Sequence, residues 1–501
     1  MEAELDFLIV GAGLSGIGVA CHLTRRFPAK RLLLLEQRAT LGGTWDVFRY
    51  PGIRCDSDMY SFGYGFRPWP TDATISDGAS IRDYLRDTAR IYGVDRKIRY
   101  RQQVLRAEWS SDEGCWTVTA RGEGALAEQA HYRCRFLLLC PGYFRYERGY
   151  TPELAGLDSF TGPVIHPQHW PQDFDCTGKR VVVIGSGATA VTLVPALAKR
   201  GAHVTMLQRS PAYYLSIPST DVSVRYLRRV LPDAWVSRAA LVRNTLLQLS
   251  IYQLCRRYPE RARALLLGRV RRSIGNLDMR HFTPRYAPWD ERICAVPDGD
   301  LFKVLRRGDA QIVTDRIARI EPDGVRLESG SSLPADAIVT ATGFDLRLFG
   351  GVEFALDGAR ISLAKRLMHN ALMFDGVPNL GMIFGYSNVS WTRRVDLAGA
   401  YLCRLTTYLD RERFAVVLPR AQPRHASDKP FVEMMSGYVR RAADQFPAQG
   451  TAGPWLTRNH VVLDALRAHF APIDDGQLQF RRLERASKRR PDARSAPADR
   501  A

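Results

Sequence analysis

Three glycines near the start of the chain are spaced for binding a pyrophosphate. Gly11, Gly13 and Gly16 form G-x-G-x-x-G directly after the apolar run Leu5–Val10. In such a turn the first glycine makes the tight bend, the second lets the backbone approach a pyrophosphate, and the third lets the helix pack on the strand. Glu36 follows where an acid accepts hydrogen bonds from a ribose hydroxyl. Because an acid would repel a 2′-phosphate, the pattern predicts FAD or NAD rather than NADP.

A second glycine-rich turn lies much further along the chain. Gly185, Gly187 and Ala190 form G-x-G-x-x-A, the variant with alanine in the third place. At the position that corresponds to Glu36 stands Arg209. A guanidinium there pairs with the 2′-phosphate of NADP, and Ser210 adds a hydroxyl beside it. The second turn therefore predicts NADP(H).

The segment between the two turns carries a third pattern. Residues 160–171 read F-x-G-x-x-x-H-x-x-x-W-P, which is typical of flavin monooxygenases that use NADPH. We expect His166 to belong to a linker that acts as a hinge between an FAD domain and an NADP domain, because the nicotinamide must deliver hydride and then stay while oxygen reacts. The alternative is a hydrogen-bonded spacer, since a proline follows His166.

Four strings together indicate a family. They are the 160–171 pattern, residues 43–56, which fit G-x-W-x-x-x-x-Y-P-G-x-x-x-D, residues 184–195, and Ala-Thr-Gly-Phe at 341–344. On these residues the chain resembles the FAD- and NADPH-dependent Baeyer–Villiger monooxygenases. The resemblance covers nearly the whole chain except its basic tail.

The resemblance implies roles for individual residues. Those implied in FAD binding are Gly11, Gly13, Ser15, Gly16, Glu36, Thr44, Trp45, Asp46, Val47, Asp56 and Val104. Those implied in NADP binding are Arg54, Asp56, Ser186, Gly187, Ala188, Thr189, Ala190, Val191, Thr192, Arg209 and Ser210, and Cys55 completes the cofactor-binding set. Arg292 matches the family's active-site arginine, with Asp56 as its catalytic partner, and His166 does not touch the substrate.

The chemistry of such a family explains why an arginine would be central. Oxygen attack on a ketone carbonyl leaves a tetrahedral oxyanion in a dry pocket. A fixed donor that is always cationic stabilises this charge, and Arg292 is such a donor. Asp56 can orient Arg292 through a charge-assisted pair. The alternatives are a surface salt bridge from Arg292 to Asp290 or Glu291, and a turn role for Asp56.

One residue departs from the family pattern. Many members carry lysine directly before the active-site arginine, where it helps to hold the 2′-phosphate, and this chain has Glu291. Discrimination between NADPH and NADH then rests mostly on Arg209. We therefore expect NADPH to be preferred by a smaller margin than is usual in the family.

The resemblance implies a reaction in which NADPH and O2 convert ketones into esters. It also implies S-oxygenation of thioamides or sulfides, including ethionamide-type prodrugs. A first alternative is an N- or S-oxygenating flavin monooxygenase without ketone activity, whose linker usually ends in Tyr or Phe where this chain has Trp170. A second is a membrane-surface flavoprotein that acts as an NADPH sensor or oxidase.

The elements that must position these residues follow an α/β plan. Apolar runs predict strands at 5–10, 31–36, 180–185, 203–209 and 337–341, with helices after both glycine turns that reach about residues 27 and 199. Apolar positions at helical spacing over 227–270 predict a helical insertion packed over the active site, and we expect this insertion and the 385–395 loop to shape the substrate pocket.

We expect two Rossmann-like dinucleotide-binding domains, each made of two parts. The FAD domain comprises 1–148 and 345–480, and the NADP domain comprises 149–210, which contains the linker pattern, and 285–344. The helical insertion occupies 211–284, and a basic disordered tail occupies 481–501.

Composition limits the remaining possibilities. The chain has 501 residues, 46% of them hydrophobic, which suits a soluble globular protein of several domains. Nine cysteines without a C-x-x-C pair favour a reducing compartment and argue against a disulfide framework, a dithiol reductase or a zinc site. No metal site is predicted.

The chain is also strongly basic, with a formal net charge of +19. It contains no recognised nucleic-acid motif, so nucleic acid is not an expected partner. A solvated basic surface is one interpretation, and peripheral contact of the insertion with a membrane is the other. The acidic N-terminus does not resemble a signal peptide, and we expect a cytoplasmic protein. The sequence does not indicate an oligomeric state.

Overall fold

The computed structural model describes residues 4–122, 124, 129–432 and 434–483. Its helices in these residues are α1 Leu14–Arg26, α2 Thr44–Val47, α3 Met59–Phe62, α4 Gly78–Ile91, α5 Ala188–Lys199, α6 Val222–Leu227, α7 Asp233–Arg257, α8 Pro259–Ile274, α9 Asp300–Arg307, α10 Trp391–Glu412, α11 Gly437–Arg441 and α12 Val461–Phe470. The strands are β1 Leu5–Val10, β2 Leu32–Leu35, β3 Ile98–Arg99, β4 Gln103–Ser110, β5 Cys115–Arg121, β6 Gln129–Leu139, β7 Val164–Ile165, β8 Arg180–Ile184, β9 His203–Gln208, β10 Tyr214–Ile217, β11 Cys294–Pro297, β12 Ala310–Thr314, β13 Ile317–Glu321, β14 Gly324–Leu327, β15 Ser332–Pro334, β16 Ala337–Thr340, β17 Glu353–Leu356, β18 Ala359–Ile361, β19 Met368–His369, β20 Met373–Phe374, β21 Leu380–Met382, β22 Val416–Pro419 and β23 Leu478–Arg481.

The larger sheet draws its strands from the two ends of the chain. Its parallel part runs β21-β6-β1-β2-β3. The last four residues of β1 are buried, which is why this strand reads as a continuous apolar run. β6 is long enough to pair with β1 at one end and, antiparallel, with β5 at the other. β1 is thus the middle strand of the parallel part, and the first glycine turn begins at its carboxyl end.

The smaller sheet is entirely parallel and runs β12-β9-β8-β16-β7. β8 lies in the middle, and the second glycine turn follows its carboxyl end. In open parallel sheets this is the edge at which ligands bind. The predicted strand and helix ends in both sheets fall within one residue of the observed ends.

Residues 211–284 are less uniformly helical than predicted. β10 comes first and pairs in parallel with β11, with Tyr214 opposite Cys294, and only then do α6, α7 and α8 follow. Four residues are too few to show strand alternation, and the partner strand is remote in sequence, so the pairing gave no local signal. α7 packs against α3 of the larger sheet's domain and against α8.

Two chain segments cross between the sheets side by side. Phe144 pairs with Leu346 in an isolated bridge, and the Arg145 N–H donates to the Asp345 carbonyl at 2.9 Å. A few residues away, the Thr342 hydroxyl donates to the Tyr150 carbonyl at 2.7 Å. The connection between the two sheets thus consists of two hydrogen-bonded segments, 144–150 and 342–346, which we call the paired strap.

The end of the described chain differs from the predicted tail. Arg481 is the last residue of β23, which pairs with β22, so the tail does not start at 481. The remainder of the predicted tail, from 484 onward, lies outside the described residues, and the domain boundaries stay predictions. None of the described helices is both long and apolar enough to span a membrane.

Candidate active site

A cavity of about 320 Å³ lies between the two sheets. Its walls come from the first glycine turn, the 42–57 and 140–147 segments, the start of α5, Arg292 and the start of α10. Residues 211–284, all of which the structure describes, contribute nothing to this lining, contrary to the expected part of the insertion in shaping the pocket. Tyr386, Val389 and Trp391 do line it, in agreement with the expectation for the 385–395 loop.

The first turn requires its glycines. Gly11 has a φ of +99°, and a Cβ there would lie 2.4 Å from the Cys140 carbonyl oxygen. A Cβ on Gly16 would lie 1.9 Å from the Gly11 carbonyl oxygen. Gly13 faces Gly43 across ordinary contact distance, and both line the cavity in front of the first turn of α1. The free N–H groups at this helix end suit a pyrophosphate.

Glu36 lies at the predicted end of this turn. Its carboxylate accepts hydrogen bonds from the Ala12 N–H at 2.8 Å and the Arg38 N–H at 2.9 Å. Burial raises the pKa of Glu36, and these backbone donors oppose that rise. A carboxylate offers about four lone-pair sites, so capacity remains for the two hydroxyls of a ribose. The first glycine turn, the N-terminal end of α1 and the Glu36 carboxylate together suit the adenosine diphosphate part of FAD.

Not every residue implied in FAD binding faces the cavity. Ser15, Thr44, Trp45 and Val104 line it, whereas Asp46 and Val47 do not. The Asp46 carboxylate is buried and accepts from Arg38 at 2.6 Å, Thr40 at 2.5 Å and Arg49 at 2.7 Å, which ties the 38–49 segment together. The Ser15 hydroxyl accepts from the Trp391 Nε1–H at 2.8 Å.

The second turn is more open than the first. A Cβ on Gly185, whose φ is +143°, would lie 2.3 Å from the Ala341 carbonyl oxygen. At Gly187, by contrast, a Cβ would meet no described atom within 4 Å. The adjacent Ala188 and Thr189 line the cavity, whereas the buried Ala190, Val191 and Thr192 do not. The open side of this turn leaves space for a second dinucleotide.

Arg209, the residue directly after β9, faces solvent. Ser210 is half-buried with its hydroxyl 3.5 Å from the Pro211 carbonyl oxygen. Burial raises the pKa of Glu291, and the positive charge of Arg209 opposes that rise. Glu291 and Arg209 are therefore electrostatic neighbours, as the departure from the family pattern suggested.

Arg292 and Asp56 meet at the cavity wall. Arg292 Nη2 lies 3.7 Å from Asp56 Oδ1, and the side chains keep 39% and 31% of their surface accessible because both face the cavity. Asp56, opposed by burial, raises the pKa of Arg292. Of the alternative partners considered for Arg292, Asp290 instead pairs with Arg256 at 3.0 Å.

Two further members of the 43–56 string are already engaged within the protein. Arg54 Nη1 donates to Asp300 Oδ2 at 2.5 Å and Nη2 to Oδ1 at 3.3 Å, at the start of α9. Cys55 is buried, and its sulfur accepts from the Ser57 N–H at 3.4 Å. Both residues line the cavity, so a bound dinucleotide would share Arg54 with Asp300.

Curated relatives match the chain over almost all of its length. The chain is 50% identical over 486 residues to the putative FAD-containing monooxygenase MymA of Mycobacterium tuberculosis, covering 96% of this chain and 98% of that protein. It is 46% identical over 483 residues to the FAD-containing monooxygenase EthA of the same species, again covering 96% and 98%. The chain belongs to the FAD-containing monooxygenases. The family predicted from the four strings is thereby confirmed.

Family segments and solved structures agree with this monooxygenase fold. Residues 9–72 match the NAD(P)-binding Rossmann-like domain, and residues 66–224 match the flavin-binding monooxygenase-like family. An oxidized steroid monooxygenase bound to NADP superposes with a TM-score of 0.72 at 22% identity, covering 96% of this chain and 100% of that one. Cyclohexanone monooxygenase bound to ε-caprolactone also gives 0.72, at 20% identity, covering 95% and 100%. The predicted α/β fold is confirmed.

In this monooxygenase His166 lies beside the paired strap. Its Nε2 is 3.2 Å from the Gly343 carbonyl oxygen, and its Nδ1 accepts from the Gln168 N–H at 3.2 Å. A Cβ on Gly149 would lie 2.0 Å from the ring. Burial lowers the pKa of His166, which favours the neutral ring. His166 does not line the cavity.

Two tyrosines near Arg292 were not predicted. Tyr143 and Tyr438 both raise the pKa of Arg292, after the larger effects of Asp56 and burial. Tyr143 also lines the cavity and stacks on Trp391, with ring centroids 5.4 Å apart. Tyr143 directly follows Pro-Gly at the end of β6, a turn signal that could have drawn attention to it.

Proposed function

We propose that this monooxygenase uses NADPH and O2 to insert one oxygen atom into ketones, giving esters by Baeyer–Villiger oxidation. The observation that carries the proposal is the Arg292–Asp56 pair at the cavity wall. General N- or S-oxygenation does not require a fixed cation at this place, because the substrate atom itself is the nucleophile.

We assign the first turn to FAD and the second to NADPH. The enclosed glycine cradle and Glu36 support the first assignment, and the open Gly187 side with Arg209 supports the second. The names and ligands of the related proteins agree with both cofactors. When bound, the reduced flavin supplies the reaction with O2 that delivers one oxygen atom to the substrate.

The chain's own residues stabilise the charge that this transfer creates. In the proposed pose Arg292 donates to the oxygen of the attacked carbonyl as it becomes negative. Loss of one such donor typically costs about 3–4 kcal/mol of transition-state stabilisation. The negative charge of Asp56, 3.7 Å away, favours the orientation in which the guanidinium faces the cavity.

His166 has a different part in the proposal. Its ring contacts the strap at Gly343 and Gly149, and it stands away from the cavity lining. We assign it to the hinge between the domains rather than to the reaction. A neutral ring suits this role, because it can accept one hydrogen bond while donating another.

Thioamides and sulfides are the second substrate class that we propose. Their sulfur is the nucleophile, so the reaction does not depend on oxyanion stabilisation. The apolar part of the cavity wall, which includes Phe48, Phe144 and Phe344, suits compact aromatic substrates. The alternative is an N- or S-oxygenating monooxygenase without ketone activity.

The test is a product analysis with the wild-type enzyme. NADPH consumption is measured with phenylacetone and with a thioamide, and products are identified by mass spectrometry. We expect the ester from the ketone and an S-oxide from the thioamide. S-oxide without ester would support the alternative, whereas NADPH oxidation that yields only peroxide would indicate a sensor or oxidase.

We further propose a cytoplasmic enzyme that contacts anionic membranes through the surface between α6 and α7. Val222, Tyr226, Val230 and Trp235 are 72%, 64%, 64% and 72% exposed there, among the exposed arginines Arg225, Arg229 and Arg238. Aromatic and apolar side chains beside arginines suit an anionic lipid surface.

Vesicle sedimentation tests this contact. The wild type should sediment with phosphatidylglycerol vesicles and not with phosphatidylcholine vesicles, and Trp235→Ser should weaken sedimentation. Phe470→Ser, at an equally exposed site on α12, is the matched control. Equal sedimentation of both variants with the wild type would contradict the proposed surface.

A further inference from the structure

Helix α7 reaches both segments that carry the Arg292–Asp56 pair. Every fourth residue along it, Asn244, Gln248, Tyr252 and Arg256, makes a contact outside the insertion. Residues at this spacing form a ridge that winds slowly around a helix. From the first to the last, the ridge spans about 18 Å at 1.5 Å per residue.

The first half of this ridge holds the segment that carries Asp56. Asn244 Nδ2 donates to Asp58 Oδ1 at 2.8 Å, and Gln248 Nε2 donates to Asp58 Oδ2. Gln248 also donates to the Ser61 hydroxyl at 3.0 Å. Asp58 caps α3 and stands two residues after Asp56, so the amides fix the backbone that presents Asp56 to the cavity.

The second half of the ridge holds the segment that carries Arg292. The Tyr252 and Trp289 rings meet edge to face, with centroids 5.5 Å apart, and Arg256 Nη1 donates to Asp290 Oδ1 at 3.0 Å. Trp289 has a φ of +73°, a left-handed conformation that bulky residues rarely adopt unless the surroundings enforce it. The Asp290 carbonyl also accepts from the Met435 N–H at 2.8 Å.

The segments that carry Asp56 and Arg292 lie far apart in the sequence, and α7 contacts both of them. Asp56 comes from the domain of the larger sheet, and Arg292 stands just before β11, which pairs with β10 at the start of the insertion. Their own contact is loose, at 3.7 Å. A pair this long is not held by its own hydrogen bonds, so its separation depends on the backbones on either side.

We propose that α7 is a positioning element for the reaction, and that Gln248 and Arg256 are positioning residues that set the separation of Asp56 and Arg292. This proposal rests on the proposed function, because it assigns the insertion to the geometry of the ketone reaction. The proposal also gives the insertion a role although it contributes no cavity lining: α7 acts through the two segments that it contacts.

The test combines substitutions at the two ends of the ridge. Gln248→Met and Arg256→Met remove the donors and keep the approximate length of the side chains. Arg256→Lys is a conservative variant that keeps the positive charge. The matched controls are Gln253→Met and Arg257→Met, which make the same changes at exposed residues of the same helix. Ester formed per NADPH oxidised, the KM for NADPH, flavin content and amide hydrogen exchange are measured for each variant.

Gln248→Met and Arg256→Met should each lose about tenfold or more in ester per NADPH, because small misplacements of reacting groups cost this much. Flavin content and the KM for NADPH should stay at wild-type levels, and Arg256→Lys should recover most of the yield. The double variant should resemble the worse single variant, since freeing either end already releases the pair. Amide exchange should rise over 55–61 in Gln248→Met and over 286–293 in Arg256→Met.

Wild-type yields in both Gln248→Met and Arg256→Met would overturn the proposal. So would losses that multiply in the double variant, or a parallel loss of flavin and thermal stability, which would indicate general support of the fold. Should the wild type form no ester, the proposed function fails separately. Amide exchange then decides the positioning proposal, which unchanged exchange over both segments would overturn.

Discussion

The two glycine turns of this monooxygenase share a backbone plan and differ in their surroundings. At the first, a Cβ on Gly13 would lie 3.5 Å from the Gly43 Cα, and Glu36 is fixed by two backbone donors. At the second, a Cβ on the equivalent Gly187 would meet no described atom within 4 Å, and Arg209, the residue that we propose selects NADPH, is exposed. The difference suits a cofactor that stays and one that must enter and leave. On the proposed assignment, the residues packed around each turn, rather than the motif itself, separate retention of one cofactor from exchange of the other.

The largest expected effect separates the two turns directly. Gly11→Ala places a side chain at a φ of +99° and 2.4 Å from the Cys140 carbonyl. The backbone strain alone costs about 1–3 kcal/mol. Because the clash with the carbonyl adds to this strain, we expect the variant to lose nearly all of its flavin, measured by absorbance relative to protein. Gly185→Ala, the equivalent change in the second turn, places a Cβ 2.3 Å from the Ala341 carbonyl oxygen and should keep its flavin. A full flavin complement in Gly11→Ala would contradict the assignment of the first turn to FAD.

The next effect concerns which dinucleotide the second turn selects. Arg209→Ala removes a charged donor to the 2′-phosphate, a contact worth about 1.5–3 kcal/mol. Steady-state kinetics should show kcat/KM for NADPH falling about 10- to 100-fold, with little change for NADH. Arg200→Ala, another exposed arginine of the same domain, serves as the control. An equal loss with both cofactors would remove Arg209 from selection.

A smaller effect should follow from changing its acidic neighbour. Glu291→Lys replaces a charge that opposes the 2′-phosphate with one that attracts it. Partly exposed ion pairs contribute about 0.2–1 kcal/mol, so the ratio of kcat/KM for NADPH over NADH should rise by about two- to fivefold. An unchanged ratio would mean that Glu291 does not face the bound nucleotide.

The smallest expected effect is a pH dependence of the same ratio. Burial raises the pKa of Glu291, so this carboxyl takes up a proton at higher pH than an ordinary glutamate does. As the pH falls through that raised pKa, the repulsion of the 2′-phosphate disappears and NADPH preference should increase. Glu291→Gln, which is neutral throughout, should show at every pH the NADPH preference that the wild type reaches only at low pH. A parallel pH profile in the two proteins would contradict this account.

The sequence was sufficient for the local geometry of both turns. Spacing placed Gly11, Glu36 and Arg209 directly after the ends of β1, β2 and β9, where the structure has them, because a strand, a glycine turn and a helix hold such residues at fixed separations. The Arg292–Asp56 pair came from the family resemblance, and the structure brings the two side chains together.

Contacts between remote segments could not be predicted in the same way. Arg54 pairs with Asp300 across 246 positions. The contacts of the four α7 residues link segments up to 190 positions apart. Each depends on how complete domains pack, and no local periodicity encodes it.

The role proposed for Arg292 is tested by comparing two substrates in Arg292→Ala. Ester from phenylacetone and S-oxide from a sulfide are quantified against NADPH consumed, in the variant and the wild type. We predict that kcat for the ketone falls about 10²- to 10³-fold, as for a lost oxyanion donor, while sulfide oxygenation continues. Ketone oxidation at the wild-type rate in Arg292→Ala would contradict the account.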